Sequence, residues 1–233
     1  MLRATRLLPV VGRVWMSWDQ GETPCIGTVA LDDLFASAGG ESVPLPGGEL
    51  QLFRAPDLGA APAELFTELH DTIAWREESI SLFGKRYLQP RMLAWYGDAD
   101  ARYRYSGVSH EPLPWLPLLD ALRARLETLA EAAFNSVLAN LYRHNRDSMG
   151  LHADDERELG DRPVIASLSL GEERIFRLRH RHSKEIKPVK LALPSGSVLI
   201  MRGATQQNWK HEIPKQTRLC GPRINLTFRR VYA

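Results

Sequence analysis

The sequence predicts an α+β domain in which two helices support a β-sandwich or jelly roll. Two amphipathic stretches come first, over residues 60–75 and 114–132. After Phe134 the chain turns to short apolar runs separated by loops that hold Gly, Pro or Asp. The third observation is composition: 233 residues, 44% hydrophobic and 25% charged, suffice for one sizeable core without covalent staples.

Each element has its own signal. Leu65, Phe66, Leu69 and Ile73 recur at helical spacing opposite a polar face. In the second helix Pro114 takes an early position, and Leu118, Leu119, Leu122, Leu126 and Leu129 form one stripe. The strands are SVLANLY, VIASLSL, RIFRLRH, VKLAL, SVLIM and RINLTFRRV. Residues 19–48 are rich in Gly, Ser and Pro, so 1–48 reads as a flexible N-terminal arm and 49–233 as the folded domain. The first 18 residues hold Arg3, Arg6 and Arg13 and no acidic residue, as an organelle-targeting segment would. A plain disordered start is the simpler reading, which leaves the protein in the cytoplasm or with the nucleoid or nucleus.

Composition also excludes classes. No apolar run approaches the roughly 20 residues of a membrane-spanning helix. Cys25 and Cys220 are too few for a disulfide framework and too isolated for a cysteine-rich zinc site. The net charge of +2 means that any nucleic-acid surface must come from how charge is distributed.

The strand from Arg223 to Arg229 carries the first chemical signal. Strand side chains alternate, so Ile224, Leu226 and Phe228 share one face while Arg223, Asn225, Thr227 and Arg229 share the other. On solvent the polar face needs nothing. Lining a barrel interior, its two guanidinium groups need an anion, and a small dicarboxylate matches two arginines six residues apart. Asn140 and Tyr142 form a second polar pair at i and i+2. His152 and Asp154 share that spacing and can converge on one ion. His211 supplies a third ligand, whereas His180 and His182 lie among cations that oppose metal binding. Two histidines and a carboxylate leave positions open for non-haem Fe(II), with hydrolytic zinc as the alternative.

The segment NLYRHNRDSMGLHADDERELG, followed by NWKHEIP and PRINLTFR, resembles the AlkB family of Fe(II)- and 2-oxoglutarate-dependent dioxygenases. The N-x-Y, H-x-D, distal His and R-x-N-x-T-x-R elements occur in the family's order, and the similarity runs from about Ala74 to Tyr232. The resemblance implies a double-stranded β-helix, that is, a jelly roll with N-terminal supporting helices. It implies a catalytic Fe(II) on His152, Asp154 and His211, with O2 and 2-oxoglutarate as co-substrates. Asn140, Tyr142, Arg223, Asn225, Thr227 and Arg229 would then hold 2-oxoglutarate, Arg223 at its distal carboxylate. The implied activity is DNA repair by oxidative demethylation of N1-methyladenine and N3-methylcytosine, releasing formaldehyde and succinate.

FGK, PR-x-x-x-x-YGD and Y-x-Y-SG resemble the family branch that acts on duplex DNA. That likeness implies a Phe83 wedge in the gap left by an extruded base, with Gly84 and Lys85 beside it and Arg91 among the substrate contacts. Tyr105 would stack on the base opposite His152, and Tyr103 would border the pocket. Asp155 follows Asp154 directly, so on an extended chain it faces away from the metal, toward a base whose methylated form is cationic. Between Arg174 and Lys190 seven Lys or Arg residues stand against the single acid Glu185, as suits a phosphate backbone. The expected partner is alkylated double-stranded DNA, with single-stranded DNA or RNA as alternatives, and the protein is expected to act as a monomer. A same-fold dioxygenase with an RNA or non-nucleic-acid substrate would keep the triad but have no use for Phe83. A non-catalytic binding module should lack a ligand, and all three are present.

Overall fold

Residues 39–82, 85–101, 103–105 and 108–232 are described by the computed structural model of the protein. For residues 81, 82, 85, 103–105 and 108–110 the description is of backbone alone. In chain order the elements are β1 (Glu41–Val43), β2 (Glu49–Phe53), α1 (Pro62–Thr72), β3 (Arg76–Leu82), β4 (Lys85–Gly97), β5 (Tyr103–Tyr105) and β6 (Val108–His110). There follow α2 (Pro117–Ala130), β7 (Ser136–Tyr142), β8 (Met149–His152), β9 (Ile165–Gly171), β10 (Arg174–His180) and β11 (Val189–Leu193). The chain ends with β12 (Val198–Arg202), α3 (Thr205–Asn208), β13 (Trp209–Ile213) and β14 (Arg223–Arg229).

Both long helices open on proline, whose missing N–H is an orphan in the first turn anyway. The second begins at Pro117 rather than Pro114 because Leu116, preceding a proline, is held extended at φ −77° and ψ 145°. It ends where Glu131 turns left-handed at φ 47° and donates its N–H back to Glu127 and Thr128.

Among the described residues β5 pairs with β6 in a separate two-stranded ribbon, and twelve strands form two sheets that face each other, the jelly-roll arrangement. The larger has the order β1-β2-β12-β9-β14-β7-β4-β3, and the smaller β11-β10-β13-β8. Period-two alternation splits the large sheet's residues between two cores. Val137, Ala139 and Leu141 of β7 and Ile224, Leu226 and Phe228 of β14 pack under the helices with Leu65, Leu69, Leu119, Leu122 and Leu126. Between the sheets, Leu50, Leu52, Leu199 and Met201 meet Phe176, Leu178 and Trp209. The polar face of β14 is therefore turned inward, between the sheets.

Part of the arm expected over 1–48 is built into the fold. Residues 1–38 lie outside the described residues, but Glu41–Val43 pairs with β2 as the edge of the large sheet, and Val43 and Leu45 are buried. Among the described residues no helix is long and apolar enough to cross a membrane.

Candidate metal centre and co-substrate pocket

Strand register assembles the centre. His211 on β13 is the direct partner of His152 on β8, and a bulge follows between His211 and Ile213. Cross-strand pairing brings the two imidazoles to 4.3 Å between centroids, and Asp154 enters from the segment just after β8. Asp154 Oδ1 lies 3.9 Å from His152 Nε2, and its Oδ2 3.8 Å from His211 Nε2. These separations are too long for hydrogen bonds and suit donors that share one ion, all three ligand atoms lying within 4.8 Å of one another.

The surroundings set the charge state. His211 is packed against Phe176, with centroids 5.1 Å apart, and burial pulls its pKa down to about 3, so it stands as neutral imidazole. Burial pushes the Asp154 pKa up, but the charge of the Arg229 guanidinium outweighs it and holds the carboxyl below its ordinary range. Arg229 Nη1 lies 3.7 Å from Asp154 Oδ1. His152 Nδ1 lies 2.8 Å from the Gly150 carbonyl, where it must be the donor, which leaves the Nε2 lone pair for a metal.

From this centre a cavity runs between the sheets, lined by Asn140, Tyr142, Ser167, Asn225, Thr227 and Arg229 among others. The registers explain the grouping: Asn225 pairs with Asn140 on one side and Ser169 on the other, and Arg223 pairs with Tyr142. Asn225 Nδ2 donates to Ser167 Oγ at 2.8 Å, and its Oδ1 accepts from Thr227 at 3.3 Å, so Asn225 braces the floor. Arg223 is 1% exposed and lies over the Tyr142 ring, 5.3 Å from its centroid. Its Nε and Nη1, like Arg229 Nε, are buried without a hydrogen-bond partner.

Some expected residues fall elsewhere. Arg91 was expected against substrate, but it is 6% exposed and its Nε donates to Asn140 Oδ1 at 2.7 Å, so it supports the pocket from behind. Its place on β4, which pairs Leu93 with Asn140, directs it inward. Asp155 is exposed where Asp154 is buried, as alternation requires, and is ion-paired with Arg181. Phe83 and Gly84 lie outside the described residues. Leu82 pairs with Lys85 across their connection, and Lys85, Tyr103 and Tyr105 are placed by backbone alone.

Two residues were missed. Gln206 on α3 is 2% exposed, and its Oε1 accepts the backbone N–H of Asp154 at 3.0 Å. Nothing in the sequence links positions 52 apart through a four-residue helix. Arg174 is fully buried, a fate that its sharing a face with Phe176 and Leu178 could have signalled.

Comparison with known proteins agrees with this geometry. The family described as the 2OG-Fe(II) oxygenase superfamily matches residues 59–229. DNA oxidative demethylase ALKBH2 of Mus musculus is 37% identical over 214 residues, 84% of this chain and 90% of the relative. The chain belongs to the AlkB family of 2OG-Fe(II) oxygenases. Alpha-ketoglutarate-dependent dioxygenase alkB homolog 3 of Mus musculus is 42% identical over 176 residues, 72% of this chain but 61% of that protein, so the chain matches about three fifths of this relative's length. A solved structure of OsALKBH1 shares the fold at a TM-score of 0.52 and 20% identity, covering 82% of this chain and 100% of that one.

The AlkB family's metal and co-substrate are Fe(II) and 2-oxoglutarate, and the residues present fit both. Two imidazoles and a carboxylate are the donor set of an open non-haem iron site. The unpaired guanidinium N–H groups of Arg223 and Arg229 are what a buried dicarboxylate requires.

Proposed function

We propose that this protein demethylates N-alkylated bases in nucleic acid, with N1-methyladenine and N3-methylcytosine in DNA as substrates. The observation that carries the reading is a His152–Asp154–His211 centre that opens on a cavity lined by Arg229 and Tyr142, with Arg223 buried against the Tyr142 ring and both arginines keeping unpaired N–H groups. The substrate class is supported by the relative named a DNA oxidative demethylase.

In this reading His152, Asp154 and His211 hold Fe(II). Arg223, beside Tyr142, takes the distal carboxylate of 2-oxoglutarate, and Arg229, beside Asp154, serves the metal end. Bound together, Fe(II) and 2-oxoglutarate supply the oxidation, in which O2 yields succinate, CO2 and a hydroxylated N-methyl group that departs as formaldehyde. The chain's own work is placement and exclusion. Gly150 fixes the His152 tautomer, Arg229 balances the Asp154 charge, and burial of Asp154 and His211 keeps bulk water from the centre.

The target methyl group is inaccessible in a stacked duplex, so the base must be extruded. Phe83 is the proposed wedge, with Gly84 and Lys85 beside it. Tyr105 is the proposed stacking partner of the base and Tyr103 the proposed border of its pocket, and Asp155, exposed and paired with Arg181, is proposed to favour the cationic base. The test uses an oligonucleotide carrying one N1-methyladenine, paired or unpaired, with Fe(II), 2-oxoglutarate and a His152→Ala control. Succinate and formaldehyde formed together, and absent in the control, are expected. Consumption of 2-oxoglutarate with the methyl group retained would reject the substrate. A Phe83→Ala protein with full activity on the paired form would reject the wedge.

A further inference from the structure

Arg174 belongs by sequence to the basic run expected to meet phosphate, yet it is 0% exposed, and Arg223 beside it is 1% exposed. The two guanidinium carbons lie 5.6 and 5.3 Å from the centroid of the same Tyr142 ring. Arg174 is tied to backbone on two separate segments. Its Nη1 donates to the His144 carbonyl at 3.4 Å, and its Nη2 to those of Asp147 at 2.9 Å and Pro214 at 2.8 Å. Arg223 Nη2 donates to Ser169 Oγ at 2.8 Å. All of these acceptors are neutral, and the Asp147 carboxylate is engaged by Arg143.

Among the described residues neither guanidinium is ion-paired with a carboxylate, and Arg174 Nε, Arg223 Nε and Arg223 Nη1 are buried without partners. Burial, with Arg174 as a nearby like charge, pushes the Arg223 pKa down to about 10. Two adjacent buried cations without an anion are costly, and neutral acceptors do not remove the charge. The backbone ties of Arg174 hold its charge in place whether or not a ligand is bound.

We propose that Arg174 is a second cation for the far end of the co-substrate. It acts through its charge and through Tyr142 and Arg223, so that the pocket demands an anionic tail on its 2-oxo acid and rejects a neutral one. The inference rests on the reading above that 2-oxoglutarate lies with its distal carboxylate at Arg223. Arg174 is thus a positioning and specificity residue rather than a phosphate contact.

The test is calorimetry on the full chain loaded with Co(II), comparing 2-oxoglutarate with 2-oxohexanoate, whose tail is neutral. Arg174→Met should weaken 2-oxoglutarate about tenfold and leave 2-oxohexanoate unchanged, while Arg174→Lys keeps most of the preference. Wild-type affinity for 2-oxoglutarate in the Met variant, or equal loss of both acids, overturns the proposal. If neither variant folds, sulfate and nitrate are compared as competitors of 2-oxoglutarate on the wild-type protein at matched ionic strength. Paired cations should favour the dianion by about tenfold, and equal competition overturns the proposal. Absence of saturable 2-oxoglutarate binding by the Co(II)-loaded wild type would instead bring down the functional reading, and this inference with it.

Discussion

Gln206 meets Asp154 only at the backbone N–H of that aspartate, yet the contact ties down the segment that carries a proposed metal ligand. Its Oε1 takes that N–H at 3.0 Å, its Nε2 reaches Met201 Sδ at 3.4 Å, and its carbonyl accepts from Arg181, which also grips Asp155. Gln206→Leu would leave a buried N–H unpaired directly at the Asp154 ligand. Loss of such outer supports weakens metal sites by roughly 10–100-fold, so Co(II) affinity should fall at least about tenfold. Affinity for 2-oxoglutarate at saturating metal should change little, and unaltered Co(II) affinity would remove Gln206 from the centre. Arg91 makes a matching case at the other end of the pocket. Its Nε fixes the Asn140 amide at 2.7 Å, so Arg91→Leu strands a buried carbonyl oxygen. The KM for 2-oxoglutarate should rise about tenfold, consistent with the loss of a charge-assisted hydrogen bond. Nucleic-acid affinity should hold, and a variant that loses DNA affinity instead would return Arg91 to the substrate surface.

The connection between β7 and β8 shows how an element is held ready for the site. Asp147 is 2% exposed and accepts the Arg143 backbone N–H at 2.9 Å and its Nε at 2.8 Å, while its own carbonyl anchors Arg174. Burial would raise the Asp147 pKa, but the hydrogen bonds and charge of Arg143 win and hold it below the ordinary 3.8. A carboxyl depressed on folding contributes stability above its unfolded pKa and loses it as pH falls through the folded value. Asp147→Asn should therefore cost about 1–3 kcal/mol at pH 7. That cost should shrink in denaturant melts carried below about pH 4, where Asp147 of the unfolded chain begins to protonate and the folded group, held lower, follows at more acid pH. A pH-independent difference would show that the carboxylate charge is not what holds the loop. Element by element, legibility followed the range of the interactions. The alternation of β14 displayed its inward polar face because period two is local, and the same holds for Asn140 and Tyr142 on β7. β1 was hidden because its place depends on backbone hydrogen bonds to β2, which a Gly- and Pro-rich composition does not encode. In β10, Arg174 was counted as charge in a run, when its position relative to Phe176 and Leu178 decided its burial.

For the whole molecule, the burial of Arg174 redistributes the basic surface. Of the seven cations between Arg174 and Lys190, Arg174 is buried, Arg177 and Arg179 share Glu212, and Arg181 is paired with Asp155. Lys184, Lys187 and Lys190 remain, exposed and without an ion pair among the described residues, on β11 and the loop that leads to it. These lysines are the part of the run that can displace counterions from a phosphate backbone. Each phosphate neutralised contributes roughly 0.9 to the slope of log K against log salt on duplex DNA. Replacing all three by alanine should lower that slope by about 2 to 3 and weaken binding uniformly across sequences. Arg174→Met removes a charge yet should leave the slope where it was, because that charge is turned toward the interior. A salt titration of duplex binding on the two variants separates the roles. An unchanged slope in the triple-alanine protein would place the nucleic-acid backbone on a different face of the domain, and a reduced slope in Arg174→Met would put that arginine back on the surface.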